Sequence, residues 1–448
     1  MRSLRGRIPL CRLPTESGRL MSRLGAWLAG IRPGSTLANV LTLMTGTTVA
    51  QALILAAAPI LARLYTPAEF GVFALYTTIV GFMAIVVAGK YDLAILLPED
   101  NEAAANLVGL CLLITAVIGC LTGLLLALGG PMLLSFFNVP MGFWIWLVPL
   151  AVVSNGIYAT LTAWNNRQRR YRQIAVNRAV QSGLIVASQL TLSIRAGSDG
   201  LVIGSFVGYL LTALWWLIST WWHDAATLRR WSWAGLNRQA RQHIGMPRYS
   251  IATDLLSYVI FQMPVFLLSR YFGAAAVGYY GLTQRVLGVP MVFISNSIGE
   301  VFRQQASQHY ARTGQCTDMF RRTLKHLLWL SVVPSVVLLS WAPDLFSYAF
   351  GEPWREAGLY AQILLPMFFL KFITNPVSYI FMIAGRLRLD LLLHLAMLVI
   401  LATALVVGMN VWHSAYATLG IFSVAYSFMY LAYLVLSHRF AQGQQPVN

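Results

Sequence analysis

The chain has 448 residues, 58% of them hydrophobic and only 10% charged, with 32 Lys plus Arg against 15 Asp plus Glu and a formal net charge of +17. Soluble globular domains carry about 25% charged residues, so this composition excludes an ordinary soluble enzyme. The four cysteines show neither a disulfide framework nor metal-ligand spacing, and the basic residues lie in short loops without a nucleic-acid-binding fold, so nucleic acid is excluded as a partner.

Residues 1–37 form a basic tail interrupted by Pro9, Pro14 and Pro33. No apolar core precedes a small-residue cleavage site, so the tail does not read as a cleaved signal peptide, and residues 20–31 could lie on a membrane as a short amphipathic segment.

A hydrocarbon core about 30 Å thick needs about 20 apolar residues as helix. Twelve stretches qualify: 38–62, 71–97, 104–128, 143–165, 176–194 and 201–222, then 249–270, 274–299, 327–342, 358–384, 389–412 and 416–437. They predict an all-α polytopic membrane protein with a first six-helix lobe (38–222), a linker (223–248), a second six-helix lobe (249–438) and a short tail (439–448). Of the 32 basic residues, 25 fall on one side of this arrangement, while Arg63, Arg195, Arg270 and Arg355 fall on the other. The positive-inside rule then places both termini in the cytoplasm, with anionic lipids as the natural contacts of the basic loops. Trp144, Trp146, Trp215, Trp216, Trp221 and Trp222 near span ends read as interfacial anchors, and the pairs Gly119/Gly123 and Gly204/Gly208 as close helix contacts.

An internal repeat carries more information. Arg63, Gly71, Phe73, Leu75 and Gly81 recur as Arg270, Gly278, Tyr280, Leu282 and Gly288, each offset by 207 residues. Two lobes of six spans share one orientation, so they are expected to be related by an axis along the membrane normal around a central cavity, as in transporters that handle cargo between parallel repeats.

The run from Leu64 through Tyr65, Thr66, Pro67, Ala68, Glu69 and Phe70 to Gly71, followed by the run from Gly89 to Pro98, resembles the start of bacterial O-antigen and polysaccharide-repeat flippases. So does the run Pro247, Arg248, Tyr249, Ser250 leading through Gly278, Tyr279 and Tyr280 to Arg285, Val286 and Leu287. These proteins belong to the multidrug, oligosaccharidyl-lipid and polysaccharide exporter superfamily, and the resemblance covers about residues 38–440. It implies two six-helix lobes in the bacterial inner membrane and an undecaprenyl-diphosphate-linked oligosaccharide as cargo, moved from the cytoplasmic to the periplasmic leaflet for O-antigen, exopolysaccharide or capsule synthesis. It implies no cofactor, a proton or sodium ion as coupling cation, and a polysaccharide polymerase and chain-length regulator as functional neighbours.

Carrying a diphosphate through hydrocarbon requires cations inside the bundle, where an ionised side chain costs about 2.5–3.5 kcal/mol on insertion scales. Arg285 and Lys371 fall near mid-depth of their spans without an acidic neighbour three or four residues away, and they are the first candidates for the diphosphate. Lys90, toward the end of the second span, and Arg178, in the first turn of the fifth, are further substrate-binding candidates. Snorkelling to the interface explains Lys90 equally well. Asp254, the pair Asp390 and His394 at i and i+4, and Asp92 are candidates for ion coupling, since a carboxylate in a partly dry cavity can hold a proton or ligate sodium. Asp390 could instead pair with Arg386 or Arg388.

A membrane glycosyltransferase or polymerase needs a sizeable catalytic loop and an acidic metal motif, and no Asp-x-Asp occurs. No Gly-x-x-x-x-Gly-Lys-Ser/Thr phosphate loop occurs either. A cation-coupled multidrug exporter of the same superfamily is the nearer alternative, and two mid-depth cations favour an anionic cargo over it.

Overall fold

The computed structural model describes residues 36–137, 142–193 and 199–443. The basic tail up to residue 35, Arg195 and the last five residues lie outside these. Among the described residues there is no β-strand. The long helices are α1 (Thr36–Leu64), α2 (Pro67–Val86), α3 (Asn101–Phe136), α4 (Leu147–Arg167), α5 (Tyr171–Leu192) and α6 (Gly200–Leu228), then a linker helix α7 (Trp233–Gln242). The second half contains α8 (Gly245–Thr283), α9 (Val289–Thr313), α10 (Thr317–Phe350), α11 (Arg355–Ser378), the short α12 (Ile380–Ile383), α13 (Leu387–Trp412) and α14 (Ala415–Ala441).

Ten stretches of the described residues are long and apolar enough to cross a membrane, against the twelve expected from sequence. The difference has two sources. Helix α5 carries Arg172, Asn177, Arg178, Gln181 and Gln189, which dilute its hydropathy. Gly245–Thr313 runs as one stretch of 69 residues, but Gly273 breaks it with a positive φ of 79°. Tyr258, before that break, packs on Gly81, while Gly281, after it, packs on Ala74. A straight helix from 258 to 281 would be about 35 Å long at about 1.5 Å per residue, whereas positions 74 and 81 of α2 are about two turns apart. The chain therefore reverses at Gly273, a glycine because a Cβ is unfavourable at that φ.

Packing inside each half rests on small residues. Lipid is as apolar as a leucine side chain, so helices associate through close van der Waals contact and hydrogen bonds rather than through a hydrophobic drive. A Cβ on Gly204 would lie 2.6 Å from the Gln189 backbone nitrogen, and one on Gly208 would lie 2.4 Å from Ile185, which seats α6 on α5. In the second half, a Cβ on Gly358 would come within 2.4 Å of Pro343 Cα, seating α11 on α10.

The two lobes meet chiefly along α2 and α8. On the face opposite the basic loops the seam is tight: Phe70 stands edge-on to Trp354 at 4.8 Å, Trp354 Nε1 donates to the Ala62 carbonyl at 2.6 Å, and Ser269 Oγ donates to the Phe137 carbonyl at 2.8 Å. Trp144 and Trp216 are buried rather than interfacial. Trp144 stands edge-on to Tyr76, and Trp216 Nε1 donates to Thr162 at 3.1 Å.

Several span boundaries shift in ways that matter for the candidate residues. Helix α2 ends at Val86, and Gly89 and Lys90 both take left-handed φ values of 60° and 58°. Lys90, Tyr91 and Asp92 thus belong to a turn leading into a short 3₁₀ segment, Tyr91–Leu96, instead of the end of a helix. Arg178 lies in the third turn of α5, not the first, because that helix starts at Tyr171. Helix α10 extends to both sides of the expected 327–342 despite Pro334 and Pro343.

Candidate functional site

A cavity of about 550 Å³ lies between the lobes. Its wall is built from α1, α2, α5 and α6 on one side and from α8, α9 and α11 on the other. Arg285 and Lys371 both line it, and none of its described lining residues is Asp or Glu. Among the described residues neither cation forms an ion pair. The polar remainder of the wall is amides and hydroxyls, including Gln51, Thr78, Gln189, Gln262, Asn296 and Asn375.

Arg285 sits in a π-helical turn, Gln284–Gly288, between α8 and α9. The cause is local: Pro290 has no N–H to close on the Val286 carbonyl, and its ring crowds that carbonyl. The helix relieves this by widening, and such widened turns recur at functional sites. Gln284 Nε2 donates to the Tyr280 hydroxyl at 2.5 Å, which anchors the turn on the buried Tyr280.

Lys371 lies on α11 between Pro366 and Pro376. Its Nζ stands 4.0 Å from the centre of the Phe261 ring. A ring face attracts an ammonium by about 0.5–2 kcal/mol, so Phe261 holds Lys371 in place without cancelling its charge. The remaining positive field is available to an anion in the cavity.

The other candidates are placed differently. Arg178 stands one layer behind the wall, donating from Nη1 to Thr47 Oγ1 at 2.6 Å, and Thr47 lines the cavity. Lys90 is not a free cation, because its Nζ lies 2.6 Å from Asp254 Oδ2. A further substrate candidate, Lys90, and the first coupling candidate, Asp254, are thus each other's partner across the lobes. Asp92, in the same turn as Lys90, is half-buried, and this desolvation raises its carboxyl pKa while the neighbouring Lys90 ammonium pulls it down. Asp390 and His394 form an i, i+4 pair at 3.6 Å away from the cavity lining. Tyr433 on α14 joins them, its hydroxyl 2.8 Å from His394 Nδ1 and 3.3 Å from Asp390 Oδ1. Neither Arg386 nor Arg388 pairs with Asp390.

Two basic-loop arginines are structural. Arg170 makes a two-pronged bond to Asp224 at 2.6 and 2.8 Å, and Trp164 Nε1 donates to the same carboxylate at 2.9 Å. Arg167 donates to the carbonyls of Ile95, Pro98 and Glu99 and pins the turn that follows α2.

Sequence reasoning passed over the lining amides. Gln51, Gln189, Gln262 and Asn375 are polar residues in apolar spans, and a residue of that kind is expensive unless it faces protein or water. That was the available signal. A charge stands out more, because its transfer cost is larger.

The profile of a family described as "Polysaccharide biosynthesis protein" matches residues 60–358. The succinoglycan biosynthesis transport protein ExoT of Rhizobium meliloti (strain 1021) is 23% identical over 333 residues, covering 68% of this chain and 61% of that protein. The chain thus matches less than two thirds of that relative's length. Among solved structures, the Lipid II flippase MurJ in an inward closed conformation superposes with a TM-score of 0.66 at 11% identity, covering 89% of this chain and 87% of that one. An inward-facing multidrug resistance MATE family transporter of the MOP superfamily gives 0.64 at 14% identity, covering 88% and 97%. At such identities the likeness is one of fold.

Proposed function

The chain belongs to the polysaccharide biosynthesis protein family as a multi-pass membrane transporter and not an enzyme, and on that premise we propose that it flips an undecaprenyl-diphosphate-linked oligosaccharide repeat unit across the bacterial inner membrane by alternating access. The observation that carries this reading is the lining of the inter-lobe cavity: two cations, no described carboxylate, and a wall of amides and hydroxyls. An anionic headgroup entering this space exchanges water for Arg285 and Lys371, and its sugar hydroxyls meet groups able both to donate and to accept. A cationic drug would meet like charge, with nothing described to offset it.

Arg285 suits a phosphate geometrically, since its planar fork binds two oxygens at once, while Lys371 acts as a compact point charge. The basic face is assigned to the cytoplasm by the positive-inside rule. The tight seam on the opposite face makes this a form closed toward the periplasm. Coupling is assigned to a proton or sodium ion at Asp254, with Asp390 and His394 as a second proton-accepting pair.

The test is the double variant Arg285→Ala with Lys371→Ala at matched membrane abundance. Loss of surface polysaccharide with accumulation of the lipid-linked intermediate is expected. Normal export would place the anion site elsewhere.

A further inference from the structure

The Lys90–Asp254 pair ties the first lobe to the second at the basic mouth of the cavity. Lys90 belongs to the turn after α2 and Asp254 to α8, and their side chains are 19% and 49% exposed. Such a pair is ordinarily a poor hinge. Separating the lobes would leave a mostly buried ammonium without its carboxylate, which costs free energy unless another group or water takes that place.

The turn contains a remedy. Gly89 and Lys90 are consecutive left-handed residues, and Asp92 follows Lys90 by two residues at the start of the 3₁₀ segment. Asp92 lies within electrostatic reach of both Lys90 and Asp254. A lysine at positive φ is uncommon and costly, and the turn is held in that shape from outside. Tyr91 is buried and its hydroxyl donates to the Ala240 carbonyl on the linker helix at 3.1 Å, while Thr115 Oγ1 donates to the Val87 carbonyl at 3.2 Å. Lys90 therefore has one carboxylate in its own lobe and another in the opposite lobe. Like charge on Asp92 and Asp254 also makes the closed form less favourable than the 2.6 Å contact alone would make it.

We propose that Lys90 is a two-position latch: bonded to Asp254 it holds the basic mouth closed, and when the lobes part it passes to Asp92 within its own turn. The ammonium is neutralised in both states, so the gap between them stays small enough for cargo or a coupling ion to tip. The two carboxylates have opposite duties. Asp254 favours the closed mouth and Asp92 favours the open one.

The experiment measures the separation of the lobes directly, in the full chain in lipid nanodiscs without cargo, so its outcome does not depend on what the protein carries. Spin labels are placed on cysteines at the exposed positions Glu102, in the first turn of α3, and Gln308, near the end of α9, one in each lobe on the side of the basic loops, in a background lacking the native cysteines, and distances are read by pulsed electron resonance. Asp254→Asn should shift the population severalfold toward the longer distance. Asp92→Asn should shift it toward the shorter one. The exchange variant Lys90→Asp with Asp254→Lys places two carboxylates of the first lobe against one ammonium of the second and should close the mouth at least as fully as the parent. It also shows that substitution at these positions is compatible with folding. Shifts in the same direction for Asp254→Asn and Asp92→Asn, or an unchanged distribution for either, would overturn the two-position latch.

Discussion

Gly71 lies against Ala274 so closely that a Cβ on it would come within 1.7 Å of the Ala274 carbonyl oxygen, and Gly278 meets Pro67 in the same way at 1.8 Å. The two contacts are reciprocal: position 67 touches 278 and position 71 touches 274, and each pair is exchanged by the 207-residue offset seen in the sequence. The close approach needs both glycines, and it lies on the seam that closes the cavity on the face opposite the basic loops.

Substituting either glycine should therefore open that seam. Overpacking a close contact costs about 1–3 kcal/mol, and here the obstacle is backbone, which cannot rotate away. With a reporter cysteine at Thr77 in the cavity wall, Gly71→Val or Gly278→Val should admit a membrane-impermeant thiol reagent in intact cells where the parent excludes it. Continued protection in both variants would show that the seam closes without this contact.

At the cavity cations, the sign of the charge should matter more than the shape of the side chain. A hydrogen bond to a charged group contributes about 1.5–3 kcal/mol, or roughly 10- to 150-fold. Lys371→Arg should retain much of the export, Lys371→Ala should lose it by about that factor, and Lys371→Glu should lose it completely, as read from surface polysaccharide at matched abundance. Equal export by the Ala and Glu variants would argue against an anion at this position.

Asp254→Asn should abolish the dependence of transport on an imposed ion gradient in proteoliposomes, while binding of the lipid-linked substrate is largely kept. Undiminished gradient dependence would remove Asp254 from coupling and leave Asp390 with His394 as the group to examine.

The Arg170–Asp224 pair makes a prediction about stability rather than transport. Its carboxylate accepts from Arg170 and from Trp164 and is 13% exposed, so Asp224→Ala leaves the indole N–H without its acceptor and the guanidinium with only Asn165 Oδ1 at 3.2 Å. The expected loss is about 3–5 kcal/mol, measured as a lower thermal midpoint of the purified protein in detergent. An unchanged midpoint would mean that water replaces the carboxylate there.

Orientation is open to a labelling test. In a cysteine-free background, Glu352→Cys on the loop before α11 should react with impermeant reagent in intact cells and Ser232→Cys in the linker should not. The reverse pattern would invert the assignment of the basic face.

Hydropathy made the membrane bundle and its division into two halves legible in the sequence and marked Arg285 and Lys371 as charges within apolar spans, because transfer free energy sums locally along a helix and a charge in hydrocarbon is conspicuous wherever it packs. Even so, two features blurred the spans. The amides and arginines of α5 lowered its hydropathy, with Asn177 and Gln189 buried in protein, and Gly273 reversed the chain through a single backbone angle. What only the tertiary structure decided is which charges are free. Lys90 and Asp254 are 164 residues apart in sequence, and nothing local marks either as the other's partner. Their pairing exists because α2 and α8 meet and because two left-handed residues turn the chain back on itself. Arg285 and Lys371 stay available because the surfaces facing them carry amides, hydroxyls and an aromatic ring. That complementarity belongs to the space between two lobes, and a sum of local propensities does not contain it.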